Sequence, residues 1–234
     1  METLRGKQVL IVGATGGIGA NVAKLLATSG AVLHLTGRSM QKLQKVVADN
    51  QIANANLYEL DITSEIGVEA FGKLLPTIDI LVNAAGIGII KTMESLSLAD
   101  FTTSINTNLI GTFLLVKAVL PKMKEQKKGL IINIPGVLGK VPMAGAAAYS
   151  ASKYGIVGMM QSIREELKRT DIRITNLFLG GVDSAFWDTI DLRVQRDKMI
   201  VAEEAAKAIW FLCQQPTSGV VSEMVLQPFN HQAI

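Results

Sequence analysis

Tyr149 and Lys153, in the segment YSASK (149–153), are the residues whose types and spacing best fit proton-transfer chemistry. Their separation of four residues puts both side chains on one face of a helix, a single turn apart. A phenol with a pKa of about 10 is a poor acid–base catalyst at neutral pH, and a neighbouring ammonium lowers that pKa by favouring the phenolate. Ordinary pairs on helix surfaces share this spacing, so the pair alone leaves both interpretations open.

A glycine-rich turn, VGATGGIG (12–19), follows an apolar run and precedes a stretch with helical spacing. Gly13 allows the tight turn, Gly17 lets a pyrophosphate approach the backbone, and Gly19 permits close packing of helix and strand. The helix N-terminus then offers unpaired N–H groups and a positive dipole end to phosphate. No Lys-Ser or Lys-Thr pair follows, which excludes a P-loop. The turn predicts a dinucleotide site, although a tight turn needs glycine even without a ligand.

The end of the second apolar run, LHLTGRS (33–39), bears on the choice of dinucleotide. An acidic residue at this strand end would bind the ribose 2′-hydroxyl and repel a 2′-phosphate. Gly37 stands in that place, and the next residue, Arg38, can hold a phosphate through two charge-assisted hydrogen bonds. We therefore predict NADP(H) as the cofactor, with a solvent-exposed arginine in a polar turn as the alternative. His34 is interpreted as a packed residue, and no metal site is predicted.

The elements that must position these motifs are short β-branched runs alternating with longer helical stretches. Seven strands are predicted, over residues 8–13, 31–37, 56–62, 78–86, 129–134, 171–179 and 222–227. Near-continuous apolar strands separated by helices form a parallel sheet covered on both faces. We therefore predict an α/β chain with one domain over 1–234, a doubly wound Rossmann fold with a mostly parallel sheet. Ligands bind such sheets beyond the carboxyl ends of the strands, where every motif above falls.

The order of these motifs resembles that of the short-chain dehydrogenase/reductase family, over essentially the whole chain. The segments that carry the resemblance, besides the glycine turn, are LDI (60–62), VNAAG (82–86), NTNLIG (106–111), YSASK (149–153) and LGGVDS (179–184). Within these segments three positions depart from the family pattern: Ala84 replaces an asparagine, Gly180 a proline and Ser184 a threonine.

The resemblance implies a role for each motif residue. Tyr149 would exchange a proton with the substrate oxygen, Lys153 would tune the phenol and bind the nicotinamide ribose, and Asn108 would hold a water linking Lys153 to solvent. The implied cofactor contacts are Gly13, Thr15, Gly17, Ile18, Gly19, Arg38, Ser39, Asp61, Ile62, Asn83, Ala85, Gly86, Tyr149, Lys153, Gly181, Val182 and Ser184. Asp61 is the residue expected to contact the adenine.

One departure lies in the catalytic set itself. The family usually carries a serine thirteen residues before the tyrosine, and here that position is Gly136, preceded by Pro135. The hydroxyl that would orient and polarise the substrate oxygen is absent. Removing one such donor from other enzymes costs roughly 10²–10³ in rate, which weakens catalysis without abolishing it. The sequence alone predicts that Gly136→Ser restores the donor.

The substrate pocket is expected to be apolar and roofed by two segments, 137–145 and the stretch after Gly181. Its predicted lining is Gly136, Val137, Met143, Phe186 and Trp187. For Phe186 and Trp187, packing of the stretch onto the core remains the alternative. No dedicated basic cluster for an acyl-carrier protein or coenzyme A is present.

Bulk composition excludes several other classes of protein. The net charge is only +3, with basic and acidic residues interspersed, so no nucleic-acid partner is predicted. The single cysteine, Cys213, allows no disulfide within the chain. The N-terminus METLRGKQ has no apolar signal region, and no uninterrupted apolar run reaches membrane-spanning length, so we predict a cytoplasmic protein without a membrane partner. Helices around 98–128 and 149–170 carry apolar residues on more than one face, which indicates a partner on the face that does not cover the sheet. The family resemblance implies that this partner is a second copy of the chain, in a homodimer or homotetramer.

Two functions are consistent with these observations. The first is an NADP(H)-dependent oxidoreductase that moves a hydride to or from the carbonyl or alcohol carbon of a small apolar substrate. The second is a cofactor-binding protein with little or no catalysis that acts as a redox-responsive or scaffolding partner. The presence of Tyr149, Lys153 and Asn108 together favours the first, and Gly136 favours the second.

Overall fold

The computed structural model describes residues 2–216 and 218–230. Seven parallel strands form one sheet: β1 (Gln8–Val12), β2 (Val32–Gly37), β3 (Ala55–Glu59), β4 (Ile80–Asn83), β5 (Lys128–Asn133), β6 (Asp171–Leu179) and β9 (Glu223–Leu226). Their order across the sheet is β3-β2-β1-β4-β5-β6-β9, which reverses direction between β1 and β4. Doubly wound sheets bind ligands at that reversal. The predicted Rossmann fold is confirmed.

Helices cover both faces of the sheet: α1 (Gly17–Thr28), α2 (Met40–Asp49), α3 (Glu65–Leu74), α4 (Leu98–Ser104), α5 (Gly111–Glu125), α6 (Ala147–Glu166) and α7 (Ala202–Cys213). One hydrophobic cluster lies under α1, α2 and α7 and includes Leu26 and Cys213. The other lies under α3, α5 and α6 and includes Phe71, Leu115 and Met160. Burial raises the pKa of the Cys213 thiol to about 12, in keeping with a core residue.

The strands read as continuous apolar runs because both of their faces are buried. In β1, Val9 and Ile11 point into the first cluster, whereas Leu10 and Val12 point into the second. All four side chains are at most 1% exposed. The apolar runs of the sequence therefore predict central strands correctly, and the strand ends differ from prediction mainly where polar loop residues follow.

A helical stretch from Leu98 to Glu125 changes type in its middle. Between α4 and α5, residues Ile105–Ile110 form a π-helix, a local widening that often marks functional sites. The sequence predicted one helical stretch here but not the π-turn. By length and composition the stretch could span a membrane. Its residues Leu115 and Met123 are instead buried against the sheet.

Three buried asparagines lie side by side on neighbouring strands. Asn83 of β4 pairs in register with Asn133 of β5, which pairs with Asn176 of β6. The Asn83 Nδ2 donates to Thr112 Oγ1 at 2.9 Å and to Asn133 Oδ1 at 3.5 Å. These bonds tie the carboxyl ends of β4 and β5 to the first turn of α5.

A two-stranded sheet outside the main one shapes the segment after β6. Val182–Asp183 (β7) pairs in parallel with Ile200–Val201 (β8), and short 3₁₀ turns lie between them. We call residues 181–201 the flap. The sequence predicted a covering segment here but no strand pair, because two-residue strands are too short to leave a period in the sequence.

Candidate active site

The glycine turn after β1 is closed by contacts that leave no room for side chains. Gly13 adopts φ +80°, and a Cβ there would lie 2.8 Å from the amide nitrogen of Ala85. A Cβ at Gly19 would lie 2.3 Å from the Gly13 carbonyl oxygen, and one at Gly17 would lie 2.7 Å from Ser184 Cβ. The structure therefore brings Gly13, Gly17 and Gly19 together with Ala85 and Ser184, all of them predicted cofactor contacts.

The N-terminus of α1 is left uncapped by side chains. Its N-cap residue, Gly16, has no side chain to accept a hydrogen bond, and the first turn holds no acidic residue. The dipole of this helix therefore points its positive end at open backbone N–H groups. Ile18, in the same turn, packs partly against the core. An anion fits this helix end.

The end of β2 places Thr15, Arg38 and Ser39 around Gly37. A Cβ at Gly37 would lie 3.0 Å from Thr15 Cγ2. Ser39 caps α2 by accepting a hydrogen bond from the Lys42 amide at 3.3 Å. Arg38 is exposed, so its guanidinium is available to a ligand.

Asp61 and Ile62 follow β3 and face different surroundings. Asp61 Oδ1 accepts hydrogen bonds from the Thr63 hydroxyl at 2.7 Å and the Thr63 amide at 2.9 Å. These bonds, with a smaller contribution from Arg38, hold the Asp61 pKa below its usual value. Ile62 is buried and packs against Gly111, where an added Cβ would lie 2.9 Å from its side chain.

The end of β4 joins the glycine turn to the predicted catalytic residues. Asn83 Oδ1 accepts a hydrogen bond from the Ala85 amide at 3.4 Å. A Cβ at Gly86 would lie 3.2 Å from Asn108 Oδ1 and 3.3 Å from Lys153 Nζ. Gly86, Asn108 and Lys153, predicted from three separate motifs, therefore meet at one point.

The Asn108 side chain, on the π-helix, is fully engaged with the protein. Its Oδ1 accepts from the Ile87 amide at 2.9 Å, and its Nδ2 donates to the Ile87 carbonyl at 3.0 Å and to Ser152 Oγ at 3.0 Å. Its backbone carbonyl accepts from Thr112 Oγ1 at 2.6 Å.

Tyr149 and Lys153 lie on one face of α6, as predicted. Lys153 is 3% exposed; its Nζ donates to the Ile134 carbonyl at 3.2 Å and lies 5.4 Å from the centroid of the Tyr149 ring. Burial lowers the Lys153 pKa to about 8. Burial also raises the Tyr149 pKa. The predicted lowering of the phenol pKa by the ammonium is not seen in this structure, where burial shifts the pKa of Tyr149 upward.

Ser152 is a contributor that the sequence analysis passed over. Its hydroxyl accepts from Asn108 Nδ2 and donates to the Tyr149 carbonyl at 2.7 Å. It therefore links the π-helix to the first turn of α6. A serine within a helix gives no signal for such a contact, because the partner comes from a distant part of the chain.

Gly136 adopts a backbone conformation that only glycine takes readily. Its φ of +71° and ψ of +169° fall in a region that side chains disfavour strongly. The space beside it is nearly open: a Cβ there would meet only the Leu179 carbonyl, at 3.4 Å. Pro135, by contrast, is buried. The backbone conformation of this turn therefore favours glycine, the residue without a side chain, at position 136.

The flap places an aromatic ring against Tyr149. The Phe186 ring lies 6.0 Å from the Tyr149 ring and 5.4 Å from that of Trp187. A Cβ at Gly88 would lie 2.4 Å from Phe186, so the ring also packs on the loop after β4. Trp187 Nε1 donates to the Val182 carbonyl at 2.9 Å, a hydrogen bond between two residues of the flap.

Arg196, which the sequence analysis did not select, holds the flap together. Its Nη2 donates to the Ser184 carbonyl and to Asp188 Oδ1, both at 2.6 Å, and its Nε lies 3.5 Å from Asp183 Oδ1. Ile200, at the end of the flap, donates its amide proton to the Gly181 carbonyl. Arg196 thus offsets the charges of Asp183 and Asp188 within the flap.

The two remaining predicted pocket residues, Val137 and Met143, lie in the segment between β5 and α6. Val137 begins a 3₁₀ turn directly after Gly136 and is partly buried. Met143 is 36% exposed. Among the residues that the structure describes, no group of three or more His, Cys, Asp or Glu side chains is arranged to hold a metal ion.

Residues 7–194 match the short chain dehydrogenase family. The chain belongs to this family. An oxidoreductase of Staphylococcus saprophyticus is 32% identical over 239 residues, which span 97% of this chain and 100% of the relative. A 3-oxoacyl-(acyl-carrier-protein) reductase of Aquifex aeolicus is 30% identical over 237 residues, covering 95% of this chain and 96% of the relative.

A solved structure shows the same fold. The alcohol dehydrogenase of the archaeon Thermococcus sibiricus, complexed with 5-hydroxy-NADP, superposes with a TM-score of 0.88 at 26% identity. The match covers 98% of this chain and 100% of the other. The family predicted from the motifs is confirmed, and the relatives support a dehydrogenase or reductase role for this member of it. The equivalence of Gly136 with a serine stays a prediction.

Proposed function

We propose that this short-chain dehydrogenase acts as one domain and is an NADP(H)-dependent oxidoreductase of small apolar carbonyl compounds or alcohols. The observation that carries the proposal is Lys153. A buried ammonium is rare in proteins unless it is paired or used in function. Among the described residues Lys153 has a carbonyl oxygen, not a carboxylate, as its hydrogen-bond acceptor. It lies between the Tyr149 ring and the Gly86 backbone at the carboxyl edge of the sheet.

The residues around the glycine turn fit a dinucleotide. Gly17 approaches Ser184 so closely that no side chain fits between them, and α1 presents an uncapped N-terminus. A pyrophosphate can approach backbone N–H groups in such a cradle. Arg38, exposed at the end of β2, is the residue that would take a 2′-phosphate. When bound, the coenzyme supplies or accepts the hydride.

Tyr149 acts as the proton donor or acceptor at the substrate oxygen. Because burial raises its pKa, the phenol is protonated at neutral pH and suits the reductive direction, in which it donates a proton. Lys153 binds the ribose and keeps its charge near the phenol, and Asn108 holds a water that links Lys153 to solvent. Since the Lys153 pKa is about 8, reduction should fall as the pH rises above about 8 and the ammonium is lost.

The substrate side of the site is apolar and small. The Phe186 ring lies against the Tyr149 ring and packs on Trp187, and Asp183 and Asp188 of the flap are paired with Arg196. Gly136 and Val137 would line the opposite wall, where the open space beside Gly136 accepts a methyl group or a water.

We propose further that the protein is cytoplasmic, has no nucleic-acid or membrane partner, and forms a homodimer or homotetramer. Apolar residues on α4, the π-helix, α5 and α6 are exposed, including Phe101 at 38%, Ile110 at 41%, Phe113 at 45% and Tyr154 at 45%. A second copy of the chain would cover this face. Light scattering at micromolar concentration tests this assembly, and a monomer would contradict it.

The function is tested by binding and turnover together. NADPH should bind wild type and Tyr149→Phe equally, whereas turnover on a broad panel of ketones and aldehydes should occur with wild type only. Unchanged turnover in Tyr149→Phe would refute the catalytic assignment. Tight NADPH binding by wild type with no turnover on the panel would favour the cofactor-binding alternative, which the Pro135–Gly136 departure supports.

A further inference from the structure

Glu59 ends β3 directly beside the strand that ends in Gly37 and Arg38. Gly37 and Glu59 are register partners across the β2–β3 pair. The Glu59 Oε2 accepts a hydrogen bond from the Met40 amide at 2.8 Å. This bond holds the carboxylate at the N-terminus of α2, two residues along the chain from Arg38. Its position follows from the sheet register, since residues 37 and 59 are far apart in sequence.

The place of the usual acidic residue is closed in this chain. A side chain at 37 would start 3.0 Å from Thr15 Cγ2 and 3.4 Å from Leu43 Cδ2. No carboxylate can therefore be presented from position 37 without moving Thr15. Glu59 instead presents a carboxylate at the same edge of the sheet, from the neighbouring strand.

Opposite charges therefore meet where the adenosine ribose of the proposed cofactor would lie. Arg38 attracts a 2′-phosphate, and its charge already lowers the pKa of Asp61 after β3. A carboxylate held at the start of α2 repels the same phosphate. The attraction by Arg38 and the repulsion by the carboxylate are both screened by salt. The Debye length is about 10 Å at 0.1 M salt.

We propose that Glu59 is a specificity-determining residue that opposes the 2′-phosphate, so that the protein prefers NADPH over NADH less strongly than Arg38 alone would dictate. This inference rests on the proposed function, because it requires a nicotinamide dinucleotide at this edge. The hydrogen bond to the Met40 amide fixes the carboxylate, which makes its repulsion a constant feature of the site. The charge of Glu59, and not its size, is the property that matters.

The test is the ratio of NADH to NADPH dissociation constants, measured by fluorescence titration. Glu59→Gln keeps the side-chain length and an oxygen that can accept from the Met40 amide, and it removes only the charge. The ratio should rise about three- to tenfold, mainly through tighter NADPH binding, as expected for two charges several ångströms apart at a solvated surface. The gain should shrink at high salt.

Glu125→Gln is the matched control, since Glu125 is an exposed carboxylate at the end of α5, just before the amino end of β5. It should leave the ratio unchanged. An unchanged or lower ratio in Glu59→Gln, with wild type binding NADPH well, would overturn the role of Glu59 and leave the proposed function standing. Failure of wild type to bind either nucleotide would overturn both.

Discussion

The turns after β1 and β5 each contain a glycine with positive φ, +80° at Gly13 and +71° at Gly136. Their surroundings differ. A Cβ at Gly13 would lie 2.8 Å from a backbone nitrogen, whereas a Cβ at Gly136 would meet one carbonyl oxygen at 3.4 Å. The first turn excludes side chains both by contact and by conformation, and the second excludes them by conformation alone.

This difference distinguishes the region around Gly13, which is formed mainly by backbone, from the region around Gly136, which depends on buried side chains. Around Gly13, close contacts and an uncapped helix end form the proposed phosphate cradle. Around Gly136, the Ile134 carbonyl accepts the hydrogen bond of the buried Lys153 ammonium, and space remains open for a substrate. The region around Gly13 is tightly packed and uncharged. The region around Gly136 contains a buried charge, whose burial costs free energy of folding.

The contrast between the glycines is tested first by alanine at each. Gly13→Ala should lower the free energy of unfolding by about 3–5 kcal/mol, because contact and strain add, and should abolish NADPH binding. Gly136→Ala should cost only about 1–3 kcal/mol, from strained backbone. Urea unfolding measures both. A loss at Gly136 as large as that at Gly13 would show that the turn after β5 is not open.

The buried charge of the second region is tested by Lys153→Met. The variant should lose turnover yet gain roughly 1–3 kcal/mol in the free energy of unfolding at pH 7, since it removes a buried ammonium. The Lys153 pKa is about 8 when folded against an ordinary value of 10.5. The unfolded chain therefore binds more protons between these values, and wild type should regain stability relative to the variant as the pH rises from 8 to 10.5.

The control for this experiment is Lys117→Met, which removes an exposed lysine of α5. Its stability should change by no more than about 0.5 kcal/mol at either pH. A Lys153→Met variant that is less stable than wild type at pH 7 would mean that the ammonium stabilises the fold.

The smallest effect concerns the missing hydroxyl. The sequence predicts that Gly136→Ser restores a hydrogen-bond donor. The backbone conformation at this position, φ +71° and ψ +169°, opposes this prediction. A serine in that conformation is strained, and the backbone does not orient its side chain as the donor requires. Gly136→Ser alone should give no gain in kcat. Pro135→Ser with Gly136→Ser frees the turn and should raise kcat for small ketones about tenfold, a part of the usual worth of one donor. A full gain from the single substitution would contradict the assigned conformation.

Much of the architecture could be predicted because the relevant signals are local. Apolar runs predicted the seven strands, and the glycine spacing of residues 13–19 predicted the turn after β1. The spacing of Tyr149 and Lys153 predicted their shared helix face. Each of these depends on neighbours within a few residues.

The rest depends on contacts between distant parts of the chain. The Asn108–Ser152 hydrogen bond joins two helices, and Glu59 lies beside Gly37 only through sheet register. The positive φ of Gly136 could not be predicted from the sequence, since glycine adopts positive and negative φ with similar ease. The raised pKa of Tyr149 depends on how deeply folding buries it, which no spacing rule gives.

The central claim, hydride transfer by a site that lacks the usual hydroxyl, is tested most directly with isotopically labelled cofactor. NADPH carrying deuterium at the transferable position of the nicotinamide would be incubated with wild type and a panel of small ketones. The account predicts deuterium on the carbinol carbon of at least one product, by mass spectrometry, and none with Tyr149→Phe. Bound but unconsumed NADPH, with no labelled product from any ketone, would contradict it.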